Sequence, residues 1–442
     1  MKPRFKLHDI MFFCLSGLIA ASAAGVEMKR PGVDFWEHLR FVIEGMESKV
    51  FPENLFHFIS RFFLTIFGYS DWDITGGKIP GREIIAAGML SAVILEVIFA
   101  AAVCYWLYRT LPKNTPDRIR SFSLACTVLA TGPFSIPMFR RVTGSTLIDC
   151  ITTTRAINTW HNPTSYGARP FMVVSFFLFL HCMSLVSVPK NENKKRRIFG
   201  IEIDSHLHSM LCLAGSLFIM TYGKISTLQV LAPAALIMLI IWWAADKFSL
   251  ARFKSCALIG LTFLPAIGYF IFNLFNYFPE NSDGGIEFVG LARFFSTQII
   301  TISINHFIWL LLPIFVTSVR WKKIKRSKMF CFGWIVWAVS FLTIYMFKET
   351  GPRALDGNST WGRYYATMIL VLISLIELAG MLTEIPQVRE IWRQGKGRFR
   401  ALAALKDTKW RLCVLGYMLA SVYLISGVVV IFTHMMQGDW FR

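Results

Sequence analysis

The sequence is poor in charged residues, which make up only 17% of its 442 positions. A water-facing surface normally needs about 25% charged residues, so most soluble enzymes, coiled coils and disordered chains are excluded. The sequence also lacks a glycine-rich phosphate loop, a soluble nucleotide-binding region and a readable internal repeat. Nucleotide-driven transport within this chain is therefore disfavoured. Because 55% of the residues are hydrophobic, the sequence predicts a membrane protein.

Disulfide and metal patterns are missing as well. Eight of the nine cysteines fall inside long hydrophobic runs, and only Cys150 falls in a predicted outside loop. His206 and His208 are two positions apart and would point to different faces of a helix, so we predict no metal site there. A Mg²⁺ ion held by one or two carboxylates and a phosphate would leave no readable motif. The sequence thus identifies no certain cofactor and leaves Mg²⁺ open.

Long hydrophobic runs separated by short charged loops dominate the sequence. About 20 residues suffice to cross about 30 Å of hydrocarbon as a helix, and open sheets cannot satisfy their backbone there. We therefore predict an all-α fold, a single membrane domain over residues 1–442 that forms a polytopic helical bundle of about eleven transmembrane helices. The runs centre on residues 10–27, 84–108, 119–139, 170–188, 205–222, 228–246, 255–277, 298–318, 329–347, 364–384 and 411–432.

Lysine and arginine set the predicted orientation. If Lys2, Arg4 and Lys6 lie in the cytoplasm, most basic residues fall in inner loops. This predicts a multi-pass protein of the inner (plasma) membrane, with a cytoplasmic amino terminus and the carboxyl terminus outside. Residues 10–25 also fit a cleaved secretory signal, which would leave the remaining topology unchanged. Because orientation explains the basic loops, we predict no nucleic-acid binding.

The first outside loop, residues 28–83, is long and is not a polar linker. Apolar residues recur at three- and four-residue steps over 35–46 and again over 55–67, with charged residues between them. Such segments are too amphipathic to span and predict helices that lie in the membrane interface. Two other outer loops, 141–169 and 348–363, are shorter.

Basic residues remain at the outer ends of several spans, where few are expected. A phosphate or diphosphate bound at the bilayer edge would require cations at that depth. Snorkelling towards lipid headgroups is the alternative for each of them. These cations are Arg140, Arg141, Arg169, Lys224 and Arg363.

A second pattern joins an aromatic ring to polar groups in the stretch from Trp160 through His161, Asn162 and Pro163 to Thr164. Aromatic faces with polar edges suit sugar rings, while proline and asparagine also form ordinary turns. The sequence leaves open whether this stretch binds a sugar or is an interfacial aromatic followed by a turn.

A long outer loop of interfacial helices directly after the first span, followed by many spans with short loops, resembles the plan of the GT-C glycosyltransferases. Within that plan the stretches 32–39, 52–57, 160–164 and 222–227 are also similar to a group of bacterial polytopic proteins, in which proline stands at the place of Ile225. The resemblance implies transfer of a sugar from a polyprenyl-phosphate donor to a glycan or lipid acceptor on the outer face, with membrane lipids as surroundings.

In such enzymes a catalytic Asp or Glu lies in the first outer loop, and Asp34 is the first candidate here. An acceptor hydroxyl must lose a proton as it attacks the anomeric carbon, and a carboxylate can take it. Asp34 would also suit a helix cap, and the two roles can coexist. His38 and His57 either face the substrate or pack at the interface. Weaker carboxylate candidates are Glu27, Asp71 and Asp73.

Two other functions stay open at this point. A surface-polysaccharide polymerase or ligase also has ten to twelve spans, but its large loop usually falls late in the chain. A lipid-linked glycan flippase or transporter, the non-enzyme alternative, would need a cationic cavity within the bundle, and the predicted spans contain few charges.

Overall fold

The secondary structure is almost entirely helical. The computed structural model describes residues 5–29, 34–48, 54–68, 80–130, 162–186, 195–198, 201–277, 286–289, 309–349, 358–385 and 408–437. Its helices are α1 (Leu7–Glu27), α2 (Asp34–Glu47), α3 (Leu55–Phe67), α4 (Arg82–Thr110), α5 (Asp117–Leu129), α6 (Pro163–Leu185), α7 (Ser205–Gly223), α8 (Ser226–Ala245), α9 (Leu250–Leu261), α10 (Leu264–Tyr277), α11 (Leu311–Val319), α12 (Trp321–Ile324), α13 (Lys328–Met346), α14 (Asn358–Thr383) and α15 (Thr408–Gln437). Short strands pair antiparallel as β1 (Lys195–Ile198) with β2 (Ile201–Asp204) and β3 (Ile286–Phe288) with β4 (Phe347–Glu349).

Seven of the described helices are long and apolar enough to cross a membrane, namely α1, α4, α6, α8, α13, α14 and α15. The predicted all-α polytopic bundle is confirmed, and the chain is a multi-pass membrane protein. Counting α9 and α10 together as one bent span gives eight. The predicted number of about eleven is not confirmed within the described residues.

Local sequence explains why some predicted spans differ from the structure. The run over 255–277 is broken between α9 and α10, where the axis bends by 44°. Pro265 causes the break, because proline lacks an N–H and its ring clashes with the carbonyl four residues earlier. The helix α7 has 19 residues but is not among the seven, since two histidines and three serines lower its mean hydropathy. The helix α11 has only nine residues, too few to span alone.

The segments after α1 that alternate apolar and charged residues form α2 and α3, as their spacing predicts. The helix α2 buries Phe35, Trp36 and Leu39 against the bundle. The helix α3 buries Phe56 on one side and exposes half or more of Phe62 on the other. Both helices are therefore amphipathic, with one face packed on the spans.

The helices α1 and α4 run antiparallel, and an ionic cluster joins the start of α1 to the end of α4. The hydroxyl of Tyr108 donates a hydrogen bond of 2.7 Å to Asp9. The guanidinium of Arg120, at the start of α5, lies 3.9 Å from the Asp9 carboxylate and 3.9 Å from the Tyr108 ring. This cluster fixes one end of the bundle.

The opposite end gathers the start of α2, the start of α6, the end of α7 and the start of α14. The rings of Phe35 and Tyr166 pack with their centroids 5.9 Å apart. The hydroxyl of Tyr365 donates to Ser165 at 3.2 Å. A Cβ built on Gly223 would lie 2.8 Å from the carbonyl carbon of Gly167, so α6 and α7 nearly touch there. Residues far apart in sequence therefore meet at this end.

Candidate functional site

Asp34 is the first residue of α2, where the helix dipole favours a negative charge. Its carboxylate does not point into open solvent. The Oδ2 atom accepts a hydrogen bond of 2.7 Å from the side-chain amide of Asn162, 128 positions later in the chain. The carboxylate is half-buried. Asp34 thus combines the position expected of a helix-starting acid with a long-range contact.

Asn162 is the hub of this end of the bundle, and its amide orientation is fixed by its partners. It is the N-cap of α6, and its Oδ1 accepts from the backbone N–H of Ser165 at 3.2 Å and from the hydroxyl of Thr164 at 2.6 Å. Because a backbone N–H can only donate, the amide oxygen must face α6 and the NH₂ group must face Asp34. Asn162, which caps α6 just before Pro163, therefore orients the carboxylate of Asp34.

Lys224 completes the cluster from the end of α7. Its ammonium donates to the Thr164 hydroxyl at 2.7 Å and reaches the Asn162 Oδ1 at 3.4 Å. The same ammonium lies 4.8 Å from the centre of the Trp361 ring at the start of α14. An aromatic face stabilises a nearby cation by about 0.5–2 kcal/mol. A carboxylate, an amide and an ammonium from three distant segments thus form one chain, the Asp34–Asn162–Lys224 cluster.

His38 and His57 form a second polar contact beside this cluster. Their Nδ1 and Nε2 atoms are 2.8 Å apart. His38 lies four residues after Asp34 on α2, which places both side chains on the same face. His57 is buried near the start of α3, and burial together with the positive charge of Arg61 lowers its pKa to about 3. His57 is therefore neutral at physiological pH and can exchange a hydrogen bond with His38.

Arg169 has different partners from Lys224, although it is on the same helix as Asn162. Seven residues further along α6, or about 10 Å at 1.5 Å per residue, its guanidinium contacts the Glu96 carboxylate of α4 at 2.5 Å. Both side chains are fully buried. The guanidinium also lies 4.8 Å from the ring centres of Phe99 and Tyr166. The charge of Arg169 is therefore engaged by Glu96, whereas Lys224, with which the sequence had grouped it, contacts Thr164 and Asn162.

Glu96 was missed by the sequence analysis, although a signal for it existed. It stands alone among apolar residues in the middle of the run 84–108. An acid in such a position is rare and is normally paired within the bundle. The sequence could have predicted a buried partner for it, but not which of several basic residues would supply the charge.

Arg363 is on a different side of α14 from Trp361, whose ring contacts Lys224. It follows Trp361 by two positions in α14, and two helical positions point about 200° apart. Its side chain is only 8% exposed. Among the described residues its Nη1 atom has no hydrogen-bond partner. The ring that faces Lys224 is thus on one side of α14 and Arg363 is on another.

The remaining candidates are Glu27 and several residues outside the described part of the chain. Glu27 is buried at the end of α1. No group of three or more His, Cys, Asp or Glu side chains in the described part of the chain is placed to hold a metal ion. Candidates outside the described residues are Asp71, Asp73, Arg140, Arg141, Trp160 and His161. Compared with protein-family models and with curated proteins, the sequence matches none.

Proposed function

We propose that this protein is a GT-C-like membrane glycosyltransferase that moves a sugar from a polyprenyl-phosphate donor to a glycan or lipid acceptor. The observation that carries the proposal is the Asp34–Asn162–Lys224 cluster, which joins a carboxylate to a cation at one end of the helices. Glycosyl transfer from a lipid phosphate needs both charges close together, one for the acceptor and one for the leaving group.

Asp34 serves as the general base. The acceptor oxygen bonds to the anomeric carbon while the bond from that carbon to the donor phosphate breaks, and the hydroxyl proton passes to the Asp34 carboxylate. The hydrogen bond from Asn162 holds this carboxylate in one orientation before substrate arrives. A single displacement inverts the anomeric configuration. Because a lipid phosphate leaves as a stable anion, no acidic side chain is needed to protonate it.

Lys224 supplies positive charge for the departing phosphate. Its ammonium is held beside Thr164 and Trp361, so little conformational entropy is lost when an anion binds. The Trp361 ring is only 6% exposed and lies against the ammonium, so its role is to stabilise the cation. On the predicted topology this end of the bundle lies outside the inner membrane, where interfacial helices α2 and α3 would flank the lipid carrier.

A flippase for lipid-linked glycans is less consistent with the interior of the bundle. Such a protein needs a cationic path for its anionic cargo through the spans. The buried arginine of α6, Arg169, is neutralised by Glu96, and neither side chain is exposed. The polymerase or ligase alternative uses the same kind of donor and is distinguished by its products.

The test is mass spectrometry of lipid-linked sugars and surface glycan in cells that carry Asp34→Asn or the wild type. Asparagine can still accept the hydrogen bond from Asn162 but cannot take a proton at neutral pH, so the variant should fold, accumulate donor and shorten the glycan. Glu37→Gln is the matched control, because Glu37 is one turn further along α2 and pairs with Arg40 at 2.9 Å. This control should retain transfer.

Full transfer by Asp34→Asn contradicts the base assignment. Complete glycan units trapped on the inner leaflet would indicate a flippase, and single units in place of long chains would indicate a polymerase. With purified protein and with donor and acceptor concentrations varied separately, Lys224→Ala should impair the use of donor more than the use of acceptor. Equal losses for both substrates would assign Lys224 a structural role only.

A further inference from the structure

A cavity of about 570 Å³ opens between α4, α6 and α7, away from the Asp34–Asn162–Lys224 cluster. It is lined by the last third of α4, by α6 from Phe171 to His181 and by α7 from His208 to Ile219. Because α6 begins and α7 ends at the candidate site, these segments lie towards the opposite end of the bundle. On the predicted topology that end faces the cytoplasm.

The lining of the cavity changes from apolar to basic along the helices. Phe171 and Ile219 form apolar walls deeper in the bundle. Arg109, in the last turn of α4, and His208, near the start of α7, line the end nearest the membrane surface. The described lining residues include neither Asp nor Glu. Among the described lining residues the positive charge of Arg109 therefore stands at this end, together with the imidazoles of His181 and His208.

The cavity is open towards the lipid-facing side of α7. Gly215 lines it and is exposed, and a Cβ built on this glycine meets no other atom within 4 Å. The opening thus has room for an apolar chain to enter sideways from the bilayer. Amphiphilic grooves of this kind, with a basic end at the cytoplasmic surface, suit lipids with anionic head groups.

We propose that this cavity binds one anionic phospholipid of the surrounding leaflet. The phosphate contacts Arg109, whose guanidinium geometry matches phosphate oxygens, and His208. An acyl chain follows the walls formed by Phe171 and Ile219 and passes Gly215. The charge of the lining selects an anionic lipid over a zwitterionic one. This site is separate from the proposed donor site in both location and ligand, so either proposal can fail without the other.

Native mass spectrometry of the purified full chain in detergent micelles tests the proposal with two probes, phosphatidylglycerol and phosphatidylcholine. We expect one tightly retained phosphatidylglycerol and at least about fivefold weaker retention of phosphatidylcholine, because the trimethylammonium group of phosphatidylcholine brings a second positive charge next to Arg109 and phosphatidylglycerol brings none; fivefold corresponds to about 1 kcal/mol. Arg109→Gln should abolish this preference. Arg118→Gln is the matched control, because Arg118 is an exposed cation of α5 outside the cavity.

A second pair of variants tests where the acyl chain of the lipid enters the cavity, without changing the charge of the protein. Gly215→Phe places a ring in the opening and should displace the lipid, while Gly260→Phe, at another glycine with no atom within 4 Å of a built Cβ, should not. Equal retention of both probes would overturn the proposal, and so would unchanged retention in both Arg109→Gln and Gly215→Phe. Stronger retention of a polyprenyl phosphate than of phosphatidylglycerol would overturn the assignment to a bilayer phospholipid.

Discussion

Replacing Glu96 by methionine should destabilise the protein more than replacing Arg169 by methionine. The reason is that a glutamate left alone can become neutral by taking up a proton, whereas an arginine left alone stays charged. The two side chains form an ion pair of 2.5 Å, and both are fully buried between α4 and α6. Removing one partner of a buried ion pair costs about 3–5 kcal/mol, since the other charge is left without compensation. The position of each single variant within that range depends on what the remaining ion can do.

In Arg169→Met the remaining glutamate can take up a proton from water. Neutralising an ordinary glutamic acid costs about 1.4 kcal/mol for each pH unit above its reference pKa, which amounts to about 3–4 kcal/mol at pH 7. In Glu96→Met the guanidinium cannot lose its proton, and the rings of Phe99 and Tyr166 offset only about 0.5–2 kcal/mol of the penalty. We therefore expect about 3 kcal/mol for the first variant and about 5 kcal/mol for the second.

The free energy of unfolding, measured by titration with a denaturing detergent in mixed micelles and followed by tryptophan fluorescence, decides between these expectations. Lowering the pH from 7 to 5 should restore most of the stability of Arg169→Met and none of that of Glu96→Met. The double methionine variant should be at least as stable as either single variant, because both charges are removed together. Single losses of equal size, or a double variant whose loss is the sum of the two, would refute this reasoning.

The same titration reports on two further contacts. Gly223→Ala should lower the free energy of unfolding by about 1–3 kcal/mol, because its Cβ would meet the backbone of Gly167 at 2.8 Å. Gly167→Ala, whose nearest contact is 3.4 Å, should lower it clearly less. Equal losses of stability would contradict a tight α6–α7 approach. Burial and the charge of Arg61 lower the pKa of His57 to about 3 in the folded protein. Between pH 6.5 and 3 the unfolded chain therefore binds a proton at His57 more readily than the folded chain does. The free energy of unfolding should fall with decreasing pH by up to about 1.4 kcal/mol per pH unit. His57→Phe should flatten that slope, and an unaltered slope would show that His57 is not its source.

The sequence predicts the fold correctly where contact with lipid requires long runs or regular spacing of apolar residues. The run over 84–108 predicts α4, and apolar residues at three- and four-residue steps predict α2 and α3. The break between α9 and α10 was missed because hydropathy alone does not register the backbone effect of Pro265. The helix α7 was counted as a span because its histidines lie at one end of an otherwise apolar stretch. These differences concern where helices break or fall short, not the class of fold.

The sequence singles out the residues of the Asp34–Asn162–Lys224 cluster but not the contacts between them. Asp34, Asn162 and Lys224 were each chosen for a local reason: an acid at a helix start, a turn residue before proline and a cation at a span end. Nothing local shows that Asn162 donates to Asp34 while accepting from Lys224, because that link depends on how α2, α6 and α7 pack. The contribution of Trp361 beneath the ammonium likewise depends on the position of α14.

In the sequence Arg169 and Lys224 look alike, since both are cations predicted at the outer end of a span. Their partners in the structure differ, and so does their suitability for binding a phosphate. Arg169 faces a carboxylate, so its charge is cancelled and an arriving phosphate would first have to break a buried ion pair. Lys224 is half-buried, and its ammonium contacts the hydroxyl of Thr164 at 2.7 Å and the Oδ1 of Asn162 at 3.4 Å, which hold it in one orientation. Because Lys224 is partly exposed whereas Arg169 is fully buried against a carboxylate, Lys224 is the better placed of the two for the proposed contact with a phosphate. The Arg169–Glu96 pair instead fixes α6 against α4 and so holds Asn162 in place.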